Sequence, residues 1–172
     1  MRVRPNAIAT RRSVSPPVFG HVEAIKPEAY DVEGAKKLLA DAGYPDGVDL
    51  VFDAFRGRYS KDKELAEAIA GQLTKVGIRT KVIIHEWGVF TKRMWSHQSN
   101  PIALLAWVDN VGDPDIQNYR ILQTGGTWSQ NSDPKLDEII KAVASEMNPD
   151  KRRALIMKQQ EYMRQSYPIA YL

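Results

Sequence analysis

Apolar side chains along the chain follow first a helical period and then a strand period. In residues 31–42 they recur at i, i+3, i+4 and i+7, which predicts a helix with Asp31 as its N-cap. Residues 48–54 alternate apolar and polar side chains, as a strand does when one face is buried. The pattern continues with a predicted helix over 61–76, a strand over 78–84, a short helix over 88–95 and a buried strand over 102–107.

The second half of the chain has a mainly helical pattern. A short helix is predicted over 115–122, and Asp133 and Asn148 each precede a proline, which is a typical start of a helix. The last helix is expected to end near residue 166, and residues 168–172 have the pattern of a strand that begins there. The inward face of the helix that follows Asp133 is predicted to comprise Leu136, Ile139, Ile140, Val143 and Met147.

The first 29 residues contain several prolines and no lasting period. Such a long stretch without elements is unusual inside a self-contained domain. We therefore expect residues 1–29 to be an irregular connector and residues 30–172 to form the folded part. Because strands alternate with helices, the expected fold class is α/β, with a mixed, largely parallel sheet flanked by helices.

Composition and charge narrow the function classes. The chain has 172 residues, no cysteine and a formal net charge of +3, and its isoelectric point is about 9.1. Its lysines and arginines are scattered among 21 acidic residues, as on a solvated surface, so nucleic acid is not an expected partner. No apolar run approaches the roughly 18 residues of a membrane helix, so the chain is not expected to span a membrane. The basic N-terminus lacks the apolar region of an export signal, and any such signal is expected outside this chain.

Residue types that carry catalysis are not assembled into a motif. His21, His85 and His97 are not spaced as metal ligands, and we interpret each as a surface or hydrogen-bonded histidine. The acidic loop around Asp113 lacks the glycine and glutamate of an EF-hand, and the glycines form no phosphate cradle. The sequence therefore predicts no enzyme, no cofactor and no metal site.

Polar and aromatic residues follow the predicted strands at their carboxyl ends. The strand over 102–107 ends at Trp107, and Asp109 and Asn110 lie in the loop that follows. In open α/β sheets ligands bind just beyond the carboxyl ends of the strands, so we expect these three residues to contact a ligand. A solvated turn without a ligand is the alternative. Further candidates are Asp113 in the same loop, Arg56 after the first strand, which suits a ligand carboxylate, and Trp128 in a later loop.

Several segments resemble one protein family. Residues 30–47 read YDVEGAKKLLADAGYPDG and are similar to the segment YDPEKAKKLLAEAGYPDG of the family 5 extracellular solute-binding proteins. These are the peptide- and nickel-type binding proteins of ABC importers. The resemblance covers about residues 27–172 in order. Its other segments are residues 62–78, the Glu86-Trp87-Gly88 turn, Trp107 with residues 112–115, and the helix starts at Asp133 and Asn148.

The resemblance implies one lobe of a type II periplasmic-binding-protein fold. Family members have two lobes that close on the ligand, and this chain resembles the C-terminal part of the second lobe, so the other lobe is expected outside this chain. The implied function is that of the substrate-binding component of an ABC importer. It captures peptides or a related small solute at the periplasmic or extracellular face of the cytoplasmic membrane and delivers it to the permease. The alternative is a ligand-sensing domain of a regulator with the same fold.

One position departs from the family pattern. The family's peptide binders place an acidic residue three positions after the loop tryptophan, where it holds the free amine of the peptide. This chain has Asn110 there, and Asp109 precedes it. Asp109 replaces the acidic residue if the loop shifts by one position. Otherwise the uncharged amide favours a ligand without an N-terminal ammonium group, because a charged partner counts for much more in a closed, dry cleft.

Overall fold

A three-stranded parallel sheet organises residues 29–106 in the computed structural model. The structure describes residues 14, 18–21, 29–107, 111–166 and 168–170. The chain divides into two units: the sheet unit, Ala29–Ala106, and the helical unit, Met1–Glu28 together with Trp107–Leu172. In these described ranges, no helix has both the length and the apolar character that crossing a membrane requires.

The sheet unit alternates helices and strands, as the sequence pattern predicts. The strand order is β2-β1-β3, and both pairs are parallel. β1 pairs with β2 along its whole length, from Val48 opposite Ile78 to Arg56 opposite Glu86. The expected parallel sheet with intervening helices is therefore confirmed. The elements are α1 (Val32–Asp41), β1 (Val48–Arg56), α2 (Asp62–Lys75), β2 (Ile78–Glu86), α3 (Trp87–Trp95) and β3 (Ile102–Ala103).

β3 is much shorter than the strand predicted over 102–107. Only Ile102 and Ala103 pair with β1, and the N–H of Leu104 then donates to the carbonyl of Asp53 at 2.8 Å. Among residues 102–107, all of which the structure describes, only Leu104 is buried. The prediction of a buried strand as far as Trp107 is wrong, because the segment leaves β1 after this bond although β1 itself continues to Arg56.

α1 begins and ends where its sequence predicts. The Asp31 carboxylate accepts a hydrogen bond from the N–H of Gly34 at 2.8 Å, which satisfies a donor of the first turn. Gly43 follows the helix with a φ of 93°, a left-handed conformation that glycine adopts without strain. Leu38 is 71% exposed, and α1 has no buried residue. The apolar period thus identifies the helix correctly, although its leucines are only partly buried or exposed.

The helical unit contains three helices and a π-helical turn within its described residues. The side chains of Asp133 and Asn148 each accept hydrogen bonds from two backbone N–H groups, at 3.0–3.1 Å. Both residues therefore cap the helices that they were expected to begin, each followed by proline at the first position. The elements are α4 (Asp115–Gln117), the π-helical turn (Asn118–Leu122), α5 (Pro134–Ser145) and α6 (Pro149–Ser166).

Apolar side chains from distant segments form a core cluster in the helical unit. Val14 and Val18 pack with Val143 of α5 and Ile156 of α6, so residues expected in the irregular connector contribute to a core. The predicted inward residues of α5 are buried from Leu136 to Val143. Met147, however, is 90% exposed. It was predicted to lie inward, and this is wrong because α5 ends at Ser145, before the helical period reaches it.

A reciprocal amide pair joins the π-helical turn to α6. Asn118 and Gln159 exchange two side-chain hydrogen bonds of 3.1 and 2.6 Å, and both side chains are buried. The pairing satisfies polar groups that would otherwise be costly to bury. The described residues 168–170, expected to begin a strand, form none. Pro168 has no N–H to donate to a neighbouring strand.

We expect the substitution Gly47→Ala to destabilise the sheet unit more than Gly43→Ala. Both glycines have positive φ values, 82° and 93°, so alanine costs about 1 kcal/mol at either position. A Cβ at Gly47 would also collide with the carbonyl oxygen of Gly77, which already accepts the N–H of Val48 at 2.9 Å. This collision should add about 2 kcal/mol.

Urea unfolding followed by circular dichroism measures both variants. Gly43→Ala is the matched control, since a Cβ there meets no atom within 4 Å. Equal losses of stability in the two variants would contradict the steric explanation.

Candidate functional site

The carboxyl ends of β1 and β2 lie side by side and carry opposite charges. Arg56 ends β1 opposite Glu86, and the Nη2 atom of Arg56 lies 2.6 Å from Oε1 of Glu86. Their side chains are 61% and 62% exposed, so the ion pair contributes little to stability. Arg56 thus lies at the strand end where the sequence places it, with a guanidinium group that solvent reaches.

An aromatic cluster occupies the same ends of β1 and β2. The rings of Phe55, Trp87 and Phe90 pack with centroid distances of 5.0 Å, 5.0 Å and 6.0 Å. The guanidinium carbon of Arg58 lies 5.3 Å from the ring centroid of Trp87 and 5.4 Å from that of Tyr59. These distances are typical of cation–π contacts. At the carboxyl ends of β1 and β2, the guanidinium group of Arg58 therefore packs on aromatic rings.

The loop that carries Arg58 is fixed by the first residue of α2. The buried carboxylate of Asp62 accepts hydrogen bonds from the N–H groups of Arg58 and Tyr59 at 3.1 and 3.2 Å. Burial alone would raise the pKa of Asp62, but these backbone hydrogen bonds and one from Lys63 hold the pKa below its usual value. The carboxylate therefore remains charged and orders the loop.

A buried carboxylate in β1, Asp53, joins four segments of the sheet unit. Its side chain is 1% exposed. Oδ1 accepts from Nε2 of His85 at 2.9 Å and from the side-chain amide of Asn100 at 2.8 Å. Oδ2 accepts from the N–H of Asn100 at 2.8 Å and lies 3.5 Å from Nη2 of Arg93. Because a carboxylate only accepts, Nε2 of His85 is the donor in this arrangement. His85 is thus a hydrogen-bonded histidine, as interpreted from the sequence.

The surroundings of Asp53 favour its charged form. Burial would raise the pKa of Asp53, but hydrogen bonds from Asn100 and His85 and the positive charge of Arg93 together hold the pKa below its usual value. The charged carboxylate of Asp53 therefore connects β1 with β2, α3 and the segment that precedes β3. This network supports the strand ends without lying at the surface.

The expected ligand loop begins at the start of the helical unit. Trp107 is half-buried, and Asp109 and Asn110 lie outside the described residues. After them, the carbonyl of Gly112 accepts the N–H of Phe19 at 2.9 Å. The described part of the loop is therefore bonded to a segment that precedes it by more than ninety positions in the sequence.

Asp113 lies in an ion-pair network with Arg152 of α6. Nη1 of Arg152 donates to Oδ2 of Asp113 at 2.7 Å, and Nη2 donates to Oδ1 at 2.8 Å. Nη2 also lies 2.8 Å from a carboxylate oxygen of Asp115. The hydrogen bonds from Arg152 hold the pKa of Asp113 below its usual value although burial opposes them. Asp113 is thus engaged inside the helical unit.

The candidate residues divide between the two units. Trp107, Asp113 and Trp128 belong to the helical unit, and Arg56 belongs to the sheet unit. Trp128 is half-buried, and its backbone N–H donates to the carbonyl of Arg120 at 2.8 Å. Across the part of the chain that the structure describes, no three His, Asp or Glu side chains are grouped as a metal site would require.

Two residues that organise these sites were not identified from the sequence. Asp53 was assigned to the polar face of β1, but residues 52–55 of that strand are all buried. The signal in the sequence is an aspartate inside an otherwise apolar run, residues 50–55, which is typical of a strand buried on both faces. Arg152 lies near the start of a predicted helix, and its partner Asp113 is 39 residues away, beyond the reach of a local pattern.

Comparisons with known proteins place these observations in a family. A sequence model described as "Bacterial extracellular solute-binding proteins, family 5 Middle" matches residues 3–129. The match includes all three strands, the Arg56 edge and the Trp107 loop. The region that it covers begins earlier than the resemblance noted in the sequence and ends before α5.

Individual proteins are similar over nearly the whole chain. The "Di/tripeptide-binding protein 3" of Pseudomonas aeruginosa is 27% identical over 161 residues, which is 90% of this chain and 30% of that protein. The "Heme-binding protein A" of Haemophilus influenzae is 25% identical over 167 residues, covering 93% and 30%. The chain spans about a third of the length of the relatives that it matches.

A solved structure shares the fold. The "ABC transporter-associated periplasmic binding protein DppA from Helicobacter pylori in complex with peptide STSA" superimposes with a TM-score of 0.73 at 26% identity. The superposition covers 92% of this chain and 31% of that protein. The expected relation to type II periplasmic binding proteins is therefore confirmed for the fold.

We expect the substitution Asp53→Asn to lower the free energy of unfolding at neutral pH by about 2 kcal/mol, because buried donors lose a charged acceptor. The loss should shrink in acid. The pKa of Asp53 is lower in the folded state than in the unfolded state, where it is about 3.9. The stabilisation is therefore present above the unfolded-state pKa and disappears as the pH falls through the folded-state pKa.

Urea unfolding from neutral to strongly acidic pH measures this difference. Asp49→Asn is the control, since Asp49 is on the same strand and pairs with Arg79 at 2.8 Å, but in an exposed position. It should change stability less, because solvent screens the pair. If wild type and Asp53→Asn lost stability in parallel on acidification, the assignment of a stabilising charge to Asp53 would be wrong.

Proposed function

Because this chain belongs to the bacterial extracellular solute-binding proteins of family 5, we propose that it acts in the substrate-binding component of an ABC importer. In this function the protein captures peptides or a related small solute and delivers it to a membrane permease, with no chemical step. The single observation that carries the proposal is the family match over residues 3–129, which includes the polar strand ends and the Trp107 loop. The relatives named above are binding proteins, which supports capture rather than catalysis.

We further propose that the protein works outside the cytoplasm and that the chain comprises a connector and one lobe. The family description and the periplasmic relative support a protein that works at the periplasmic or extracellular face of the cytoplasmic membrane. Residues 1–29 would be the connector between lobes, and residues 30–172 would belong to one α/β lobe. Ligand capture would follow the closure of two lobes around the solute. We find no feature that favours a sensing domain of a regulator over this function.

Trp107, Asp109 and Asn110 are the residues that we propose for ligand contact. Arg56 and Trp128 are further candidates, and the exposure of Arg56 at its strand end supports a role in binding an anionic group. Asp113 was also a candidate for ligand contact. Since both of its carboxylate oxygens accept hydrogen bonds from Arg152, we propose that it supports the loop instead.

The identity of residue 110 bears on the class of ligand. An aspartate or glutamate in a closed cleft binds an ammonium group strongly, whereas an amide lacks the charge to do so. With Asn110 in place of the acidic residue, the protein would accept a ligand whose amino end is blocked or absent. If Asp109 takes over the acidic role, the free amine would still be recognised.

Calorimetric titration with Ala-Phe and N-acetyl-Ala-Phe tests the proposal and separates these two cases. The measurement uses this chain and the complete product of its gene. We expect the complete product to bind at least one of the two peptides. We expect this chain alone to bind poorly, because capture in this family uses two lobes.

The variants Asn110→Asp and Asp109→Asn then assign the role of each position. If Asn110 faces the amino end, Asn110→Asp should improve the affinity for Ala-Phe relative to the acetylated peptide about tenfold, or 1.4 kcal/mol. Asp109→Asn should then leave the ratio unchanged. If Asp109 holds the amine, Asp109→Asn should abolish a preference for Ala-Phe that wild type already shows. Failure of the complete product to bind either peptide would count against peptide capture, and tight binding by this chain alone would refute the need for a second lobe.

A further inference from the structure

Arg152, near the start of α6, contacts three segments outside its own helix. Its guanidinium group forms the paired hydrogen bonds with Asp113 and the ion pair with Asp115. Its Nε donates to the carbonyl of Val143, near the end of α5, at 3.2 Å. Its Cζ lies 5.3 Å from the centroid of the Phe19 ring. All these residues belong to the helical unit.

The contacts use every nitrogen of the guanidinium group. The Nε, Nη1 and Nη2 atoms each donate to an oxygen, while the planar face lies over an aromatic ring. The side chain of Arg152 is only 14% exposed, so solvent screens these interactions less than it does at the surface. Lysine could not reproduce the arrangement, because its ammonium is a point charge without a planar fork.

Several of these contacts involve residues 112–115, which begin two positions after the proposed ligand residue Asn110. Oδ1 of Asp113 accepts from the N–H of Asp115 at 3.0 Å as well as from Arg152. The carbonyl of Gly112 accepts from the N–H of Phe19. The ring of Phe19 in turn lies beneath the guanidinium groups of Arg152 and Arg153, the latter at 4.8 Å. Among these residues, Arg152 contacts both the carboxylates of the turn and the Phe19 ring, and so links them to α6.

We propose that Arg152 is a positioning residue for the ligand loop. It fixes residues 112–115 against α5, α6 and the segment around Phe19, and so sets where the chain resumes after the ligand-contacting positions. The assignment of a ligand role to that loop rests on the proposed function, but the fixing of the turn by Arg152 does not. Arg152 acts through Asp113 and Asp115 and does not itself contact the ligand.

Two neighbouring arginines provide a matched comparison. Arg152 and Arg153 both lie over Phe19, but Arg153 is exposed, and the carboxylates of the turn bond to Arg152. Arg152→Met and Arg153→Met therefore remove the same charge from adjacent positions of one helix. Arg152→Lys keeps the charge but loses the fork, and Asp113→Asn keeps the shape of the partner but loses its charge.

Amide hydrogen exchange of this chain, read by mass spectrometry, measures the effect on the turn without any ligand. Arg152→Met should accelerate exchange in residues 111–118 about tenfold or more, because exchange reports local opening. The amides of residues 136–141 in α5 and of β1 should keep their rates. Arg153→Met should leave all three regions near wild type. Arg152→Lys and Asp113→Asn should each give part of the acceleration, and they provide the test if Arg152→Met does not fold.

Two results would overturn the proposal. The first is unchanged exchange in residues 111–118 in all of the Arg152 and Asp113 variants. The second is an equal rise in all regions, which would indicate a merely structural role in the whole unit.

Titration of the complete gene product with Ala-Phe and N-acetyl-Ala-Phe provides the second readout. Arg152→Met should weaken the binding of whichever peptide wild type binds by about tenfold, and Arg153→Met should not. If the turn loosens while peptide affinity stays at the wild-type level, Arg152 does not position the ligand loop. If wild type binds neither peptide, the proposed function fails, while the exchange result still decides whether Arg152 holds the turn.

Discussion

The sheet unit depends on one buried charge, the carboxylate of Asp53. A carboxylate that is 1% exposed is costly to bury unless donors surround it. Here the donors come from β2, α3 and the residues before β3, through His85, Arg93 and Asn100. The backbone carbonyl of the same residue accepts the N–H of Leu104, where the chain leaves the sheet. Asp53 therefore determines both how the strand ends are joined and where the segment toward Trp107 departs.

The helical unit follows the same design with the opposite charge. A single guanidinium group, that of Arg152, holds two carboxylates of one turn, a helix-terminal carbonyl and an aromatic ring. In both units an ionic centre shielded from solvent fixes a loop whose own side chains are polar. Loops that carry recognition residues on a rigid support are well suited to binding, because less freedom is lost when the ligand arrives. This arrangement supports the proposed capture of a solute.

Local patterns were sufficient to predict most of the helices and strands. Caps such as Asp31 and Asp133 are determined by three or four neighbouring residues, so the sequence shows them directly. The length of β3 was not predictable from its apolar run, because the chain leaves β1 after Leu104 although β1 continues to Arg56, and a local pattern does not encode this departure. The alternation rule also misassigned Asp53, since it assumes one solvated face and residues 52–55 have none. The pairing of Asp113 with Arg152 is a contact between distant segments, which no periodicity encodes.

The exposed pair of Arg56 and Glu86 has a consequence for how the strand ends respond to small ions. Both side chains are more than half exposed. Dissolved salt ions therefore screen the attraction between them, since the Debye length is about 8 Å at physiological ionic strength. Counter-ions can therefore replace either partner at small cost. The carboxylates of Asp53 and Asp113, in contrast, keep their hydrogen-bond partners within the protein. The carboxyl ends of β1 and β2 thus combine an exchangeable surface ion pair with the buried, fixed contacts of Asp53. An anion of the ligand proposed to bind Arg56 would therefore displace only the exposed Glu86 carboxylate and leave the buried contacts of Asp53 unchanged.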